Sequence, residues 1–254
     1  EGKRGEPRNR PPFPVQKGFM GLPTSVNNVE TYAAAARIMK EGAAWFKAIG
    51  TEQSAGTKVL SVSGDCGKPG VYEVDYGTTI QQLLDMVDGK DARCVMVGGP
   101  SGTFIGRKDY DRKICFNDLA TGGSMMIFNA GRDLLDVVRN FMEFFVEESC
   151  GWCVPCRAGN AILLNKLETI IEGAGTQSDI SDLESWCRIV KTMSRCGLGQ
   201  TSPNPILTTI QNFREIYDAK VQKDGLFVPS FDLEKAVQAS CKAAGRTPKF
   251  EEHH

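Results

Sequence analysis

Histidine is almost missing from this chain: His253 and His254, at the carboxyl end, are the only two among 254 residues. A Ser-His-Asp arrangement in its usual form is therefore excluded, and so is a metal site that depends on imidazole ligands. Redox or metal chemistry in the rest of the chain would have to use other side chains.

An excess of charge and long apolar runs are also missing. The 30 Lys and Arg residues nearly balance the 31 Asp and Glu residues, which gives no sign of a nucleic-acid partner or a charged membrane surface. No segment approaches the ~18 apolar residues that a membrane-spanning helix needs. The most apolar helical segment, about 134–146, is interrupted by Asp136, Arg139 and Glu143. We therefore predict no membrane span.

Cysteine is the reactive residue that the chain does contain. Nine cysteines are an odd number in a chain too long to need disulfide staples, which favours a reducing compartment and metal binding. Cys150, Cys153 and Cys156 are each separated by two residues. Three thiols at this spacing with one remote thiol fit a 4Fe–4S cluster, which takes four thiolates. A redox dithiol or a zinc knuckle is the alternative, although structural zinc normally takes two close pairs.

The fourth ligand has to come from a distant cysteine, because residues 157–165 contain none. Cys187 falls in the middle of a predicted helix, where a thiol normally packs as a small apolar group. Cys196 precedes Gly197-Leu198-Gly199, whose backbone can approach a bulky cofactor and donate N–H groups to its sulfurs. We therefore predict Cys196 as the fourth ligand. The other cysteines have no metal-binding spacing and are predicted to be core, loop or half-exposed thiols: Cys66, Cys94, Cys115 and Cys241.

The hydrophobic pattern of the first half predicts an α+β fold. A helix at about 28–47 precedes two segments of period two, 58–63 and 71–76, which flank a Gly-Lys-Pro-Gly turn and predict a hairpin. Thr78 and Gln81 resemble a capping box that opens a short helix. A third strand is predicted at 93–97. Hairpin, helix and strand in this order indicate a small β-grasp domain, which we place at 55–131.

The second half is predicted to be helical. Helices are expected at about 132–148, 156–172, 181–193, 204–218 and 232–243. Ser181 and Glu184 are typical of a capping box at the start of the third of these helices. Because the connections are short, an antiparallel bundle is the default arrangement for residues 132–222, with a helical tail at 223–254.

Two stretches before the first helix have a role that the residues alone leave open. Arg10-Pro11-Pro12-Phe13-Pro14 holds an aromatic ring in a stiff, extended frame, and Asn27-Asn28 places two amides at a helix start. Rigid aromatic rings stack on planar groups, and paired amides can bind phosphate or a ring edge. Ordinary turn and N-cap functions would explain the same residues equally well.

Taken together, the motifs resemble one family. Its members are similar to this chain in the order and spacing of Pro11-Pro12-Phe13-Pro14, Gly21-Leu22-Pro23-Thr24, Asn27-Asn28-Val29-Glu30-Thr31, Glu148-Ser149-Cys150-Gly151, Pro155-Cys156-Arg157 and Cys196-Gly197-Leu198-Gly199. The family is the flavin-bearing, NADH-binding subunit of respiratory complex I and its relatives. Residues 195–205 more closely resemble the diaphorase large subunit of cytoplasmic NAD-reducing nickel–iron hydrogenases. NAD-linked formate dehydrogenases contain similar runs.

This resemblance implies an NAD-dependent oxidoreductase in which a hydride passes between NAD(H) and FMN, and single electrons pass through a 4Fe–4S cluster to a partner's clusters. Residues 1–54 would be the tail of an α/β flavin domain. The implied partners are a small iron–sulfur diaphorase subunit and nickel–iron hydrogenase subunits, in the cytoplasm. The implied contacts are Asn27, Asn28, Thr31 and Leu198 with FMN, Phe13 and Arg10 with the dinucleotide, and Cys150, Cys153, Cys156 and Cys196 with the cluster.

One departure from the family limits these expectations. The glycine-rich flavin loop of the family would precede Glu1, and the chain begins without an initiator methionine or an apolar signal region. We therefore expect a piece of a longer polypeptide, whose upstream half completes the flavin site. The hydride step cannot be assigned to residues of this chain. Two hypotheses follow: the cluster-bearing half of an NADH/FMN oxidoreductase, or a non-enzymatic iron–sulfur module for electron transfer or docking.

Overall fold

The computed structural model describes residues 10–222 and 233–246. Its helices and strands are α1 (Val29–Glu41), α2 (Ala43–Lys47), β1 (Thr57–Gly64), β2 (Gly70–Asp75), α3 (Ile80–Met86), β3 (Ala92–Val97), β4 (Thr103–Gly106), β5 (Ser124–Asn129), α4 (Leu134–Glu148), α5 (Val154–Ile171), α6 (Gln177–Met193), α7 (Gly197–Thr201), α8 (Asn204–Asn212), α9 (Arg214–Asp218) and α10 (Leu233–Ala243). The fold is mixed α+β, as the sequence predicts. Among these described helices, none is long and apolar enough to cross a membrane.

The strands form one sheet in the order β2-β1-β5-β3-β4. The pair β1 and β5 is parallel, and the other neighbouring pairs are antiparallel. The predicted hairpin and the predicted strand at 93–97 are confirmed. β5 lies between β1 and β3 although it is the last strand in the chain, so the sheet is complete only when Ser124–Asn129 is in place.

Alternate side chains of the central strands enter two different cores. Val95 and Met125 pack on the side of α3, whereas Met96 and Met126 pack on the side of the long helices. The Phe104 ring lies 5.9 Å from the Phe141 ring of α4, centre to centre. The sheet is therefore covered on both faces, and its far face is continuous with the core of the helical part.

The predicted single helix at 28–47 is wrong, because the helix is interrupted at Gly42. Gly42 has φ +92°, a conformation that residues with a Cβ rarely adopt, and it separates α1 from α2. Apolar residues at helical spacing in α1 are exposed: Val29 is 81% exposed and Met39 is 87% exposed. α1 contacts the sheet through Glu30, whose carboxylate accepts from the ammonium of Lys58 and, at 2.8 Å, from the N–H of Val59.

Two predicted capping boxes are displaced. At the start of α3 the pair is Thr79 with Gln82, one residue later than predicted, because the Thr78 hydroxyl donates to the Asp75 carbonyl at 2.8 Å. At the start of α6 the pair is Thr176 with Asp179. The predicted start at Ser181 is therefore wrong, and α6 begins four residues earlier, at Gln177.

Helices α4, α5, α6 and α8 surround the core on the face of the sheet opposite α3. The predicted helix at 204–218 is divided at Phe213, whose φ of −142° and ψ of 41° interrupt the helix between α8 and α9. Four apolar residues at helical spacing in this segment are nevertheless buried, and each is at most 6% exposed: Ile206, Ile210, Phe213 and Tyr217. The short helix α7 is not among the predicted elements, and its first residue follows Cys196 directly.

Candidate iron–sulfur centre

The four candidate cysteines lie at the beginnings of two helices. Cys150 and Cys153 belong to the loop after α4, where Cys153 is the N-cap of α5, and Cys156 follows in the first turn. Cys196 is the N-cap of α7. The first N–H groups of a helix have no partner within it, and a helix start has a partial positive charge. Both helix starts are therefore suited to anionic thiolates and the sulfides near them.

The pKa of the Cys156 thiol depends on the other three candidate thiols. Burial raises the pKa of the Cys156 thiol, and the negative charges of Cys153, Cys196 and Cys150 raise it further, while the hydrogen bond from Ser149 opposes the rise. Cys156 is buried, Cys153 is half-buried, and Cys150 and Cys196 are exposed. The site therefore has a buried wall at Cys156 and an open side toward solvent.

Cys153 is the thiol most clearly prepared for ligation. The pKa of the Cys153 thiol is lowered most by the backbone N–H of Arg195 and less by the N–H of Cys156 and the charge of Arg195, while burial opposes the shift. The thiolate is the form that binds a metal. Because Arg195 directly precedes Cys196, the two segments that contain the candidate ligands lie next to each other.

Two contacts fix the loop that contains Cys150 and Cys153 to its neighbours. The Arg195 guanidinium lies 5.1 Å from the centre of the Trp152 ring. The Arg157 guanidinium donates to the carbonyl of Gly151, where φ is +75° and glycine is the residue that adopts this conformation readily. The loop between Cys150 and Cys156 is therefore fixed both to α5 and to the Cys196 segment.

The backbone of α7 packs closely behind Cys156, next to a buried polar group. A Cβ at Gly199 would lie 2.5 Å from the Ser194 Oγ and 3.0 Å from the Cys156 Cβ, so no larger residue is accommodated. Within residues 10–222 and 233–246, the Ser194 hydroxyl is the buried side-chain group without a hydrogen-bond partner. A buried hydroxyl without a partner costs free energy. The sulfides and thiolates of a cluster would supply the acceptor that it needs.

The arrangement of the thiols differs from that of a zinc knuckle. Among the described residues, no three His, Cys, Asp or Glu side chains form a group that could hold a metal ion. A zinc ion needs its thiolates about 2.3 Å from one centre. In a 4Fe–4S cluster each thiolate binds a different iron, so the four sulfurs are spread more widely.

The structure adds three polar residues to the site that the sequence reasoning did not identify. The Ser149 hydroxyl lies 3.4 Å from the Cys156 sulfur, and the Asn160 side-chain amide donates to the same sulfur at 3.5 Å. The Ser202 hydroxyl donates to the Asn160 Oδ1 at 2.7 Å. The spacing of four residues between Cys156 and Asn160 on one helix was the signal available in the sequence.

The other cysteines are separate from this site. Cys187 is completely buried in the core of the bundle, which confirms its predicted role as an apolar filler. Cys94 is also buried in a core, and burial raises the pKa of both thiols. Cys115 is buried, while Cys66 and Cys241 are half-buried. All are in the positions that the sequence predicts.

The residues implied to contact FMN and NAD lie mostly on the surface. The Asn27 amide donates to the Ser25 hydroxyl and the Tyr32 hydroxyl, both at 3.2 Å, and the Asn28 side chain caps α1. Thr31 is exposed in the first turn of α1. Leu198 lies on α7, where it is partly buried against the bundle core. The Arg10 guanidinium lies 5.9 Å from the Phe13 ring centre.

Comparison with known proteins finds a family match for the segment that contains the candidate cysteines. Residues 136–220, which include all four candidate ligands, match the family model for the NADH-ubiquinone oxidoreductase-F iron-sulfur binding region. This part of the chain is similar to that family. The match covers α4 to α9, the elements that position the thiols.

Curated relatives extend the similarity beyond this region. The chain is 57% identical to NAD-reducing hydrogenase HoxS subunit alpha of Cupriavidus necator, over 96% of this chain and 41% of the relative. It is 41% identical to NADP-reducing hydrogenase subunit HndC of Solidesulfovibrio fructosivorans, over 87% of this chain and 47% of the relative. An NADH-quinone oxidoreductase subunit of Mycobacterium tuberculosis is 36% identical, over 89% and 53% of the two chains.

A solved structure has the same fold. The structure of an NAD+-reducing nickel–iron hydrogenase in its H2-reduced state superposes with a TM-score of 0.86 and 38% identity, over 96% of this chain and 43% of that chain. This chain therefore spans about half the length of the relatives that it matches.

Proposed function

We propose that this chain is the iron–sulfur part of an NAD-dependent oxidoreductase subunit of the diaphorase type. In this function, electrons pass between FMN and the iron–sulfur clusters of a partner through one 4Fe–4S cluster. The observation that supports the proposal is that α7, which begins directly after Cys196, packs through Gly199 against Cys156 of α5, within the segment that matches the iron–sulfur binding region.

These four cysteines are the proposed cluster ligands. Bound there, a 4Fe–4S cluster accepts and returns one electron at a time. Cys153 provides a thiolate stabilised by the Arg195 N–H, and Cys156 provides the most buried one. Cys150 and Cys196 are exposed, so a partner can approach the site on this side.

FMN and NAD(H) are proposed to bind next to the site, together with a flavin-domain segment outside this sequence. FMN supplies the exchange between a hydride and single electrons. Leu198 is proposed to approach the flavin from the cluster side, because it lies two residues after Cys196. The remaining proposed contacts are Asn27, Asn28 and Thr31 with FMN, and Phe13 and Arg10 with NAD(H).

The proposed organisation has four parts. Residues 1–54 complete the flavin domain, 55–131 form a β-grasp domain, 132–222 form the cluster-binding bundle, and 223–254 form a tail. Higher identity to the hydrogenase relative, 57% against 36% for the quinone oxidoreductase relative, favours a cytoplasmic NAD-reducing hydrogenase. The proposed partners are accordingly its small iron–sulfur subunit and its nickel–iron subunits.

Cofactor content and dye reduction test the proposal. The assembled protein, purified without oxygen, should contain four irons, four sulfides and one FMN for this cluster and flavin, and it should reduce a dye with NADH. A protein with the cluster but without flavin or NADH-dependent reduction would contradict the oxidoreductase function. A protein without iron and sulfide at the four cysteines would contradict the cluster itself.

A further inference from the structure

Asn160 is a polar residue in a completely buried position, one helical turn after Cys156. Its side chain has no exposed surface, and its Nδ2 donates to the Cys156 Sγ at 3.5 Å. Residues four apart in a helix lie on the same face. The amide therefore lies directly over the sulfur of the most buried proposed ligand.

Ser202 fixes the orientation of this amide. Its hydroxyl, which is also fully buried, lies 2.7 Å from the Asn160 Oδ1 and 3.1 Å from the Gly199 carbonyl, and its one proton is donated to the nearer acceptor, Oδ1. A thiolate can only accept hydrogen bonds. The reversed amide would turn Oδ1 toward the sulfur and place two acceptors against each other, so the order of donation is Ser202 to Asn160 to Cys156.

We propose that Asn160, oriented by Ser202, is a positioning residue that donates a hydrogen bond to the Cys156 sulfur and raises the reduction potential of the cluster. This inference rests on the proposed function, in which Cys156 is a ligand. Reduction by one electron adds negative charge to the cluster and its thiolates. A donated N–H stabilises the more negative state more strongly, and it does so most effectively in a buried site of low dielectric constant.

A structural role alone would give a different result. The bond between Asn160 and Ser202 also joins α5 to the end of α7, where Ser202 is the C-cap, and its loss would lower the stability of the bundle. Stability loss by itself leaves the potential of an intact cluster unchanged. The potential, measured on samples with full iron content, therefore separates the two roles.

Three variants of the assembled protein provide the test. Asn160→Leu removes the donor and keeps a similar volume, and Ser202→Ala keeps the amide but removes the group that orients it. Thr209→Val is the matched control, because Thr209 is fully buried in the same bundle and its hydroxyl bonds to Tyr217 rather than to a cysteine. Iron and sulfide are assayed first, and the midpoint potential is then measured by redox titration followed by EPR.

We expect the midpoint potential to become more negative in Asn160→Leu, to shift less far in the same direction in Ser202→Ala, and to stay unchanged in Thr209→Val. A tenfold change in the one-electron equilibrium corresponds to a shift of about 59 mV. An unchanged potential in Asn160→Leu with a full cluster would overturn the inference and leave the proposed function standing. If Asn160→Leu does not fold, an unchanged potential in Ser202→Ala would overturn it instead. Absence of iron and sulfide from the unmodified protein would overturn the proposed function and this inference together.

Discussion

The guanidinium of Arg195 lies 5.1 Å from the centre of the Trp152 ring, and it thereby joins the loop between Cys150 and Cys153 to the segment that contains Cys196. Trp152 is 55% exposed, so the contact lies at the surface of the site. A cation over an exposed aromatic ring contributes about 0.5–1 kcal/mol. The pair therefore makes a weak stabilising contact between two segments that are distant in the sequence.

Removal of the contact between Arg195 and Trp152 should speed the loss of iron. We expect Arg195→Ala to release iron to a chelator about two- to fivefold faster, which is the factor that corresponds to about 0.5–1 kcal/mol. The fold should be little changed, since the N–H that donates to Cys153 belongs to the backbone. Bleaching of the cluster absorbance measures the rate. Arg37→Ala is the control, because Arg37 lies 5.6 Å from the ring of Trp45, away from the cysteines, and an equal acceleration in it would contradict the prediction.

The choice of fourth ligand can be tested with two alanine variants. We expect Cys196→Ala to lose the 4Fe–4S cluster, because only three thiolates remain, and Cys187→Ala to retain it. Alanine is preferable to serine at both positions, since a serine oxygen could bind iron and a serine hydroxyl would be buried without a partner in the core. Iron and sulfide content with low-temperature EPR gives the answer. A complete cluster in Cys196→Ala would show that another residue is the fourth ligand.

The tight space at Gly199 predicts a large effect of a single methyl group. Gly199→Ala would place a Cβ 2.5 Å from the Ser194 Oγ and 3.0 Å from the Cys156 Cβ, and such overpacking typically costs about 1–3 kcal/mol. We expect a lower thermal midpoint and less bound iron. Gly197→Ala is a matched control on the same short helix, because nothing lies within 4 Å of its added Cβ. Equal iron content and stability in the two variants would contradict the steric argument.

The ion pair between Asp65 and Arg132 predicts how stability depends on pH. Hydrogen bonds from Arg132 lower the pKa of Asp65, with further lowering by the Asn129 N–H, while burial opposes the shift. Because the folded pKa lies below the unfolded value of about 3.9, the contribution to stability is present above that value and is lost as the pH falls through the folded pKa.

Denaturant unfolding of Asp65→Asn at several pH values checks this dependence. The variant should be less stable than the unmodified protein at pH 7, and the difference should shrink below about pH 4. Asp136→Asn, which changes a surface carboxylate paired with Arg139, serves as the control and should have little effect. A difference for Asp65→Asn that stays constant down to the lowest pH would contradict the assignment.

The predictable parts of the fold are those with a strong local signal. Alternating side chains mark β1 and β2, and apolar spacing marks α4, α5 and α6, so these elements follow from the sequence. β5 has no alternation of polar and apolar residues at its centre, because Met125 and Ile127 enter one core while Met126 and Phe128 contact the other. A strand that is covered on both faces has no polar side to indicate it.

Boundaries depend on competing hydrogen bonds and on single backbone conformations. Thr78 could cap α3 as well as Thr79 by residue type, and only the bond from Thr78 to Asp75 decides between them. In the candidate site, the spacing of cysteines predicts the loop ligands, but the contribution of Asn160 depends on Ser202, which lies far along the chain. Such pairs between distant segments leave no periodic pattern in one sequence.

The position of β5 has a consequence for how the chain folds. Among the described strands it is the last in the sequence, yet it lies between β1 and β3, so the four earlier strands form no continuous sheet until Ser124–Asn129 inserts between them. Contacts between residues distant in sequence slow folding. The hairpin, α3 and the helices after residue 134 are therefore expected to reach the native state in one cooperative transition, in which β5 completes both cores at once.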